Sequence, residues 1–450
     1  MRRSWRLVAA VLALLLPGVS TATEFGYGLG YSATHSNNIT LSNTNPQADW
    51  LSIAKGQLAL EEDGLRNFGA RVYSQLEYDH YQHQIFSNQT MFTLNSAATW
   101  AMRPRVLSWT AEDYYGQVPI VPFASVTPSN MQSVNVLTTG PTALARIDPL
   151  NTLELGMRYD NFHSSVANND SYRVGGFAGW LYQYSPVTVF SLNYHGQNAR
   201  YMQNVLASGY DRQDMFLRMD TRFPTTAWVV DLGDTWLHQS VLGRVSGLYA
   251  RLLMSRQITK DTALSVTAIS TITDVEDQVL SAESTSGIVG GSSVGTDIYR
   301  QDSVDAAYSV AGPLGMDSVD LFDQKLKYYT SPLSQEQAGV GVQFGYQFSG
   351  TLLGSLFGGY SRTRFYDNSV INRDGNEGVG LTYEARPSIF VGLKGQISRQ
   401  QSTSAANSYT EKQIVLSVSY YSNFTFVNAG TVVPPLTEQD NITRDIMYGR

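Results

Sequence analysis

Arg212, Asp214, Arg218, Asp220 and Arg222 alternate in sign within one short stretch, all at even positions. In an extended chain, side chains two apart share a face. The stretch therefore reads as a ladder of guanidinium and carboxylate groups on one side of a strand. Two chemistries suit such a ladder. Forked arginine donors orient the hydroxyls or carboxylates of a passing solute. Alternatively, the charges pair along and across strands and stiffen a wall. The second needs no ligand and is the more economical reading. Arg71 and Glu77, Arg158 and Asp160, Asp231, Arg251, and Glu384 and Arg386 extend the same lining. Tyr73 and Tyr249, if placed on that side, would offer flat ring faces to sugars.

Other chemistry is sparsely provided for. There is no Cys, which excludes disulfides and thiolate zinc sites. The six histidines are His35, His80, His83, His163, His195 and His238. Each is expected near the far end of an odd-numbered strand. His80 and His83 are three apart, whereas strand faces repeat every two, so no metal site is expected. No Ser, His and Asp spacing picks out a catalytic triad. The expectation is a protein that is not an enzyme and uses no cofactor. With 38 acidic against 31 basic residues, the chain also lacks the basic excess of a nucleic-acid binder.

The elements that would carry these residues follow from periodicity. Phe25, Tyr27, Leu29 and Tyr31 alternate with Gly26, Gly28, Gly30 and Ser32. Met215, Leu217 and Met219 alternate with the charged ladder. The same period recurs at Val340–Phe348, Val379–Ala385 and Ile414–Tyr420. Many of these runs reach ten residues or more, longer than the usual soluble strand of about five or six. A tilted membrane strand needs about 9–11. Only 15% of residues are charged and 12% are aromatic, yet mean hydropathy is −0.19. Strands with one apolar and one polar face account for that combination.

Tight-turn signals fall at Glu62-Asp63-Gly64, Arg103-Pro104, Asp148-Pro149, Ser185-Pro186, Phe223-Pro224, Lys260-Asp261, Gly312-Pro313, Ser349-Gly350 and Arg386-Pro387. Longer polar stretches lie between them, such as 36–49, 119–132, 197–209, 274–297 and 367–376. Short turns on one side and long loops on the other predict an all-β, antiparallel, transmembrane outer-membrane β-barrel of about 18–20 strands. The alternation is weakest near Thr188–Tyr194 and Asp317–Tyr329; in the second, Asp323, Lys325 and Lys327 would share one face. Tyr31, Tyr78, Trp100, Trp109, Tyr159, Trp180, Trp228, Trp236 and Tyr420 are the candidates for the aromatic belts at the membrane interfaces.

The ends differ from the middle. Arg2, Arg3 and Arg6 precede the apolar run Leu7–Leu16, and Ser20-Thr21-Ala22 follows it. This is the pattern of a secretory signal peptide over 1–22. The barrel is expected over 23–426, with both ends on the short-turn, periplasmic side. The last convincing strand ends near Phe424 or Phe426. Residues 427–450 form a periplasmic tail, read as a disordered extension with insertion into the lumen as the alternative.

Gly28-Leu29-Gly30-Tyr31-Ser32-Ala33-Thr34-His35-Ser36-Asn37-Asn38-Ile39 resembles the opening strand of outer-membrane barrels associated with exosortase (PEP-CTERM) systems. Leu107–Gln117, Asn135–Pro141 and Tyr210–Gln213 are similar to further segments of those proteins. The resemblance spans most of the chain after residue 22 through short, diffuse motifs. It implies an outer-membrane barrel tied to exopolysaccharide synthesis and export in Gram-negative bacteria, and brings no catalytic residue. The function it implies is a polar conduit for polysaccharide, with membrane lipid, the polysaccharide and periplasmic export proteins as partners. A general porin for small solutes and a structural or anchoring barrel without transport are the alternatives.

Overall fold

Alternating faces need two different environments, and a closed barrel provides them. The structure, a computed structural model, describes residues 23–422 except 66, 121–123, 167–169, 203–208, 275–296, 313–314 and 368. The signal segment over 1–22 and the tail over 427–450 lie outside the described residues. The strands are β1 (Thr23–Ser36), β2 (Asp49–Leu65), β3 (Phe68–Tyr81), β4 (Gln89–Arg103) and β5 (Leu107–Pro119). Next come β6 (Met131–Arg146), β7 (Asn151–Ser164), β8 (Ser171–Ser185), β9 (Thr188–Tyr201) and β10 (Tyr210–Phe223). Then follow β11 (Thr226–Gln239), β12 (Gly243–Thr259), β13 (Thr262–Asp274), β14 (Ile298–Gly312) and β15 (Gly315–Tyr328). The last are β16 (Gln335–Ser349), β17 (Leu352–Phe365), β18 (Ile371–Arg386), β19 (Ile389–Ser402) and β20 (Tyr409–Tyr421).

Every strand pairs antiparallel with its neighbours in sequence, and β1 pairs with β20 from Gly28↔Tyr421 to Ser36↔Gln413. The sheet is thus a closed barrel of twenty strands, the upper end of the range predicted. Closure gives each ladder N–H and C=O a partner without leaving an edge, which lipid requires. The segments near 188 and 317 are full strands, β9 and β15. Asp323, Lys325 and Lys327 do share the outward face of β15, but they sit toward its extracellular end.

Register and burial separate the two faces. Phe25, Leu29 and Tyr31 are exposed outward, while Gly26 and Gly28 point in and are buried. On β10, Met215 and Leu217 face out, while Arg212 and Asp214 face in at 7% exposure each. The outward aromatics form two girdles. Trp100, Trp109, Trp180, Trp228 and Tyr420 lie toward the short-turn end. Tyr31, Tyr78, Tyr159 and Trp236 lie toward the long-loop end. Trp100 and Trp109 are directly opposed. The indole of Trp109 donates to Thr139 at 2.8 Å, and that of Trp180 to Asn151 at 3.0 Å. An apolar ring with one satisfied polar edge suits a membrane interface. The outward face is not uniformly apolar: Asn135 Nδ2 donates to Asp113 at 2.6 Å near the middle of β5.

Two sequence expectations are corrected. The turn placed at Glu62-Asp63-Gly64 is not there, because β2 continues to Leu65. A register shift between Glu62 and Leu65 absorbs the extra residues as a bulge, and the chain reverses just before Phe68. His195 does not lie near a strand end. It occupies the middle of β9, facing inward between the rings of Phe177 (5.8 Å) and Phe216 (5.1 Å). The turn at Gly312-Pro313 falls partly outside the described residues. Its exit, Gly315, must be glycine: φ is +158°, and a Cβ would sit 1.7 Å from Gly345 O.

Candidate functional site: the lumen and its closure

The inward ladder on β10 is fully paired within the wall. Arg212 Nε donates to Asp214 at 3.1 Å, which also accepts from Thr235 Oγ1 at 2.5 Å. Arg222 Nε donates to Asp220 at 3.3 Å. Arg218 forks across to Asp231 on β11 at 2.7 and 3.1 Å, and Arg251 on β12 reaches the same carboxylate at 2.9 Å. The Asp231 side chain has no exposed surface. One buried carboxylate thus holds two guanidiniums and ties three strands together. Such a pair is expensive to bury and more expensive to break.

The remaining inward candidates fall into separate groups. On β2–β3, Arg71 Nε donates to Glu61 at 2.5 Å, and Glu77 holds Lys55 Nζ at 2.8 Å. Between them Gln57 Nε2 donates to the Tyr73 hydroxyl at 2.8 Å and to Gln75 at 2.9 Å. Arg158 on β7 donates to Pro141 O at 3.1 Å and to Thr142 Oγ1 at 3.0 Å, and lies 4.9 Å over the Phe177 ring. Asp160 is two residues further along the same face, opposite Thr138. Glu384 and Arg386 lie at the periplasmic end of β18, where a register shift separates them. Tyr249 faces inward with one ring face covered, because Phe216 stacks on it at 4.6 Å and 26°.

The extracellular end of the lumen is crossed by its own wall. The β12–β13 ladder stops at Ala250↔Ser270, well short of either strand's end. Beyond it, β13 turns inward. Thr271 Oγ1 accepts from Arg212 Nη2 at 3.2 Å. Ile272 lies over Gly247, 3.1 Å from where a Cβ would be. Ile272 and Ile298 then bury against Ala199, Tyr210 and Leu237, on the inner faces of β9, β10 and β11. Asp274 ends the crossing. It accepts Arg173 Nη2 of β8 at 2.5 and 2.6 Å and the Tyr210 hydroxyl at 2.8 Å. From the other side of the tip, Tyr299 joins Leu326 and Tyr328 against Val118, Val134, Val136 and Phe162 of β5–β7. The joined ends of β13 and β14 are therefore held against the continuous inner wall of β5–β11 by two apolar clusters and a buried ion pair.

Sequence reasoning missed Arg173 and Asp274. Asp274 read as the start of a polar loop, and Arg173 lay outside the charged ladder. Nothing in their spacing signals a contact across 101 residues.

The rest of the lumen differs in kind. The inner faces of β16–β20 and β1 carry Gly339, Gly341, Gly380, Gly392, Gly28 and Gly30, with Ser355, Ser417 and Ser419 between them. Gln343, Gln347 and Asn376 are exposed there, and Gln396 Nε2 donates to Gln413 at 2.6 Å. This half is rich in amides and hydroxyls, with Asp374, Lys394 and Glu411 set among them and Lys394 Nζ lying 4.5 Å over the Phe357 ring. Among the described residues no group of three or more His, Asp or Glu is placed to hold a metal.

No family model and no curated protein matches this chain. Among solved structures it is similar to a ferric enterobactin receptor of Pseudomonas aeruginosa, at 9% identity and a TM-score of 0.46 over 88% of this chain and 81% of that one. It is also similar to OccK2 (OpdF) of Pseudomonas aeruginosa, at 11% identity and a TM-score of 0.38 over 90% and 98%. The siderophore receptor PirA of the same organism gives 8% identity and a TM-score of 0.42 over 88% and 80%. Likeness at this level carries no function across. The architecture rests on the chain's own closed ladder, outward apolar band and two aromatic girdles, which are those of an outer-membrane barrel.

Proposed function

We propose that this barrel is an outer-membrane conduit for a hydrated, mainly neutral saccharide chain, held closed at its extracellular end by the infolded tips of β13 and β14. The observation that carries this reading is the division of the lumen. On one side, the charges are spent on each other and cannot compete strongly for a solute. On the other, Gly, Ser, Gln and Asn present donors and acceptors around a few separated charges, Asp374, Lys394 and Glu411. Amides and hydroxyls match the mixed donor and acceptor character of sugar hydroxyls. Each contact is weak, which lets a chain slide rather than bind. The driving force for movement would come from export proteins on the periplasmic side, and the closure would open when they engage. Cellular exopolysaccharide is the substrate this reading favours.

A clean deletion of the gene, assayed for secreted polysaccharide, tests this. Lost or periplasmically trapped polymer is expected, and a return of secretion on complementation. Unchanged secretion would remove the export role. Liposome swelling with small sugars separates a general porin: swelling by the wild-type protein at ordinary porin rates would favour that alternative.

A further inference from the structure

We propose that the outward extracellular face of β17–β19 docks a phosphorylated glycolipid of the outer leaflet, with Arg362, Arg364, Arg373 and Arg399 holding its phosphates. The register sets the cluster. Arg362 on β17 lies directly opposite Arg373 on β18, which lies opposite Gln401 on β19. Arg364 is one step further out on the same face, and Arg399 is one step inward from Gln401. Neighbouring strands are about 4.8 Å apart, so the cluster spans roughly 10 Å across three strands.

Like charges placed directly opposite destabilise a sheet. Protein acids relieve only two of the four: Glu336 of β16 lies opposite Arg364, and Glu377 faces Arg399. Glu377 is the sole acid on the outward face of these three strands, and it pairs with Arg399 at 3.4 Å. Arg364 lies 5.1 Å from the Tyr366 ring centroid. Arg362 and Arg373 are both exposed, and among the described residues neither makes an ion pair. A face that needed only solubility would mix its signs. The neighbouring rim does so, with Arg300 and Asp302 on β14 and Lys325 opposite Glu336 on β15–β16. On the β17–β19 face the opposed pair Arg362 and Arg373 is left repelling, and an external anion bridging it would relieve the repulsion.

Height and surroundings choose the anion. Just below the arginines the outward face becomes apolar at Leu356, Val379, Leu381 and Leu393, with Tyr360 at the border. Gly395 leaves open space where a side chain would stand. A ligand here meets cations at headgroup height and a smooth apolar wall beneath. That is the outline of a lipid carrying phosphate on a sugar headgroup. Arginine forks suit phosphate oxygens, and several act together.

The test uses the full-length protein in detergent, with purified bisphosphorylated lipid A as probe and native mass spectrometry as readout. The wild type should retain lipid A, less so as salt rises. The Arg362→Gln/Arg373→Gln/Arg399→Gln variant should bind at least ten-fold more weakly. Dephosphorylated lipid A should bind the wild type no better than lipid A binds the variant. Arg244→Gln, an outward cation on β12, should change nothing. Heat-modifiable migration checks that each protein is folded. If the triple variant does not fold, Arg373→Gln alone should show a smaller loss in the same direction. Equal retention by wild type and variant, or equal binding of dephosphorylated lipid A, would overturn the proposal. Inorganic phosphate displacing lipid A at equal concentration would overturn the lipid assignment.

Discussion

Arg173 on β8 and Asp274 at the end of β13 meet at 2.5 and 2.6 Å inside the barrel, although 101 residues separate them and both side chains are almost wholly buried. This pair, with the Tyr210 hydroxyl at 2.8 Å, holds the infolded tip to the far wall. Removing one partner of a buried pair costs about 3–5 kcal/mol, since the other is left uncompensated. Asp274→Ala should therefore release the tip while leaving the twenty-strand ladder intact. Hydrogen exchange at Thr271–Thr273 and Tyr299 should rise by at least ten-fold, with the mid-strand amides of β18–β20 unchanged. Unchanged exchange at the tip would show that the apolar clusters hold it alone.

Asp231 is the second buried carboxylate with a structural burden. It holds Arg218 and Arg251 together. Asp231→Ala would leave two guanidiniums facing each other across β10–β12. We expect a loss of about 3–5 kcal/mol in folding stability in urea. Asp231→Asn should recover part of it by retaining one acceptor. Equal stability of the Ala variant and the wild type would mean the ladder contributes no rigidity.

The facing pattern predicts opposite outcomes for adjacent residues on β20. Leu416 is 54% exposed on the lipid side, and Ser417 faces the lumen. Leu416→Arg should cost about 2–4 kcal/mol on folding into bilayers. Ser417→Arg should cost much less, because the lumen is wet. Similar costs at both positions would contradict the assignment of faces.

One pH effect lies outside the membrane span. Asp148, in the β6–β7 turn, accepts the Leu150 N–H at 2.8 Å and the Asn151 N–H at 2.9 Å. These bonds, the Leu150 one first, together with the Asn151 side chain, hold its carboxyl below the ordinary carboxylate range. A depressed folded value means the turn is favoured above the unfolded value, near 3.9, and loses that support as pH falls through the folded one. Protection of the Leu150 and Asn151 amides should stay level down to about pH 4 and fall below it. Asp148→Ala should lack protection throughout. A profile identical in both proteins would refute the turn's role.

The barrel was legible because its physics is local. Alternation at Phe25–Ser32 or Met215–Arg222 states which face meets lipid, and dipeptides such as Arg103-Pro104 and Ser185-Pro186 state where the chain reverses. The bulge at Glu62–Leu65 was not legible, since Asp63-Gly64 has the composition of a turn and only the opposing strand reveals that pairing continues. His195 was misplaced for a related reason: a strand's length, and so the distance of a residue from its end, is set by the neighbours it pairs with. The closure was hidden most completely. Ile272 and Ile298 keep the parity of lipid-facing residues, yet they turn inward where the β12–β13 ladder stops at Ser270. Period two specifies a face but not a bend. Tyr249 showed the same limit, facing inward as its position implied but with one ring face covered by Phe216.

Single-channel recording in planar bilayers tests the central claim most directly. The wild-type protein should conduct little, and Asp274→Ala should open to a large, weakly ion-selective pore. A long neutral glucan added on the periplasmic side should interrupt that current reversibly. Gly341→Trp, whose Cβ has room beside Asp320 at 3.8 Å, should then narrow the open variant, whereas the outward Gly375→Trp should not. A wild-type channel as open as the variant, or an open pore that the glucan never interrupts, would contradict a closed conduit for saccharide chains.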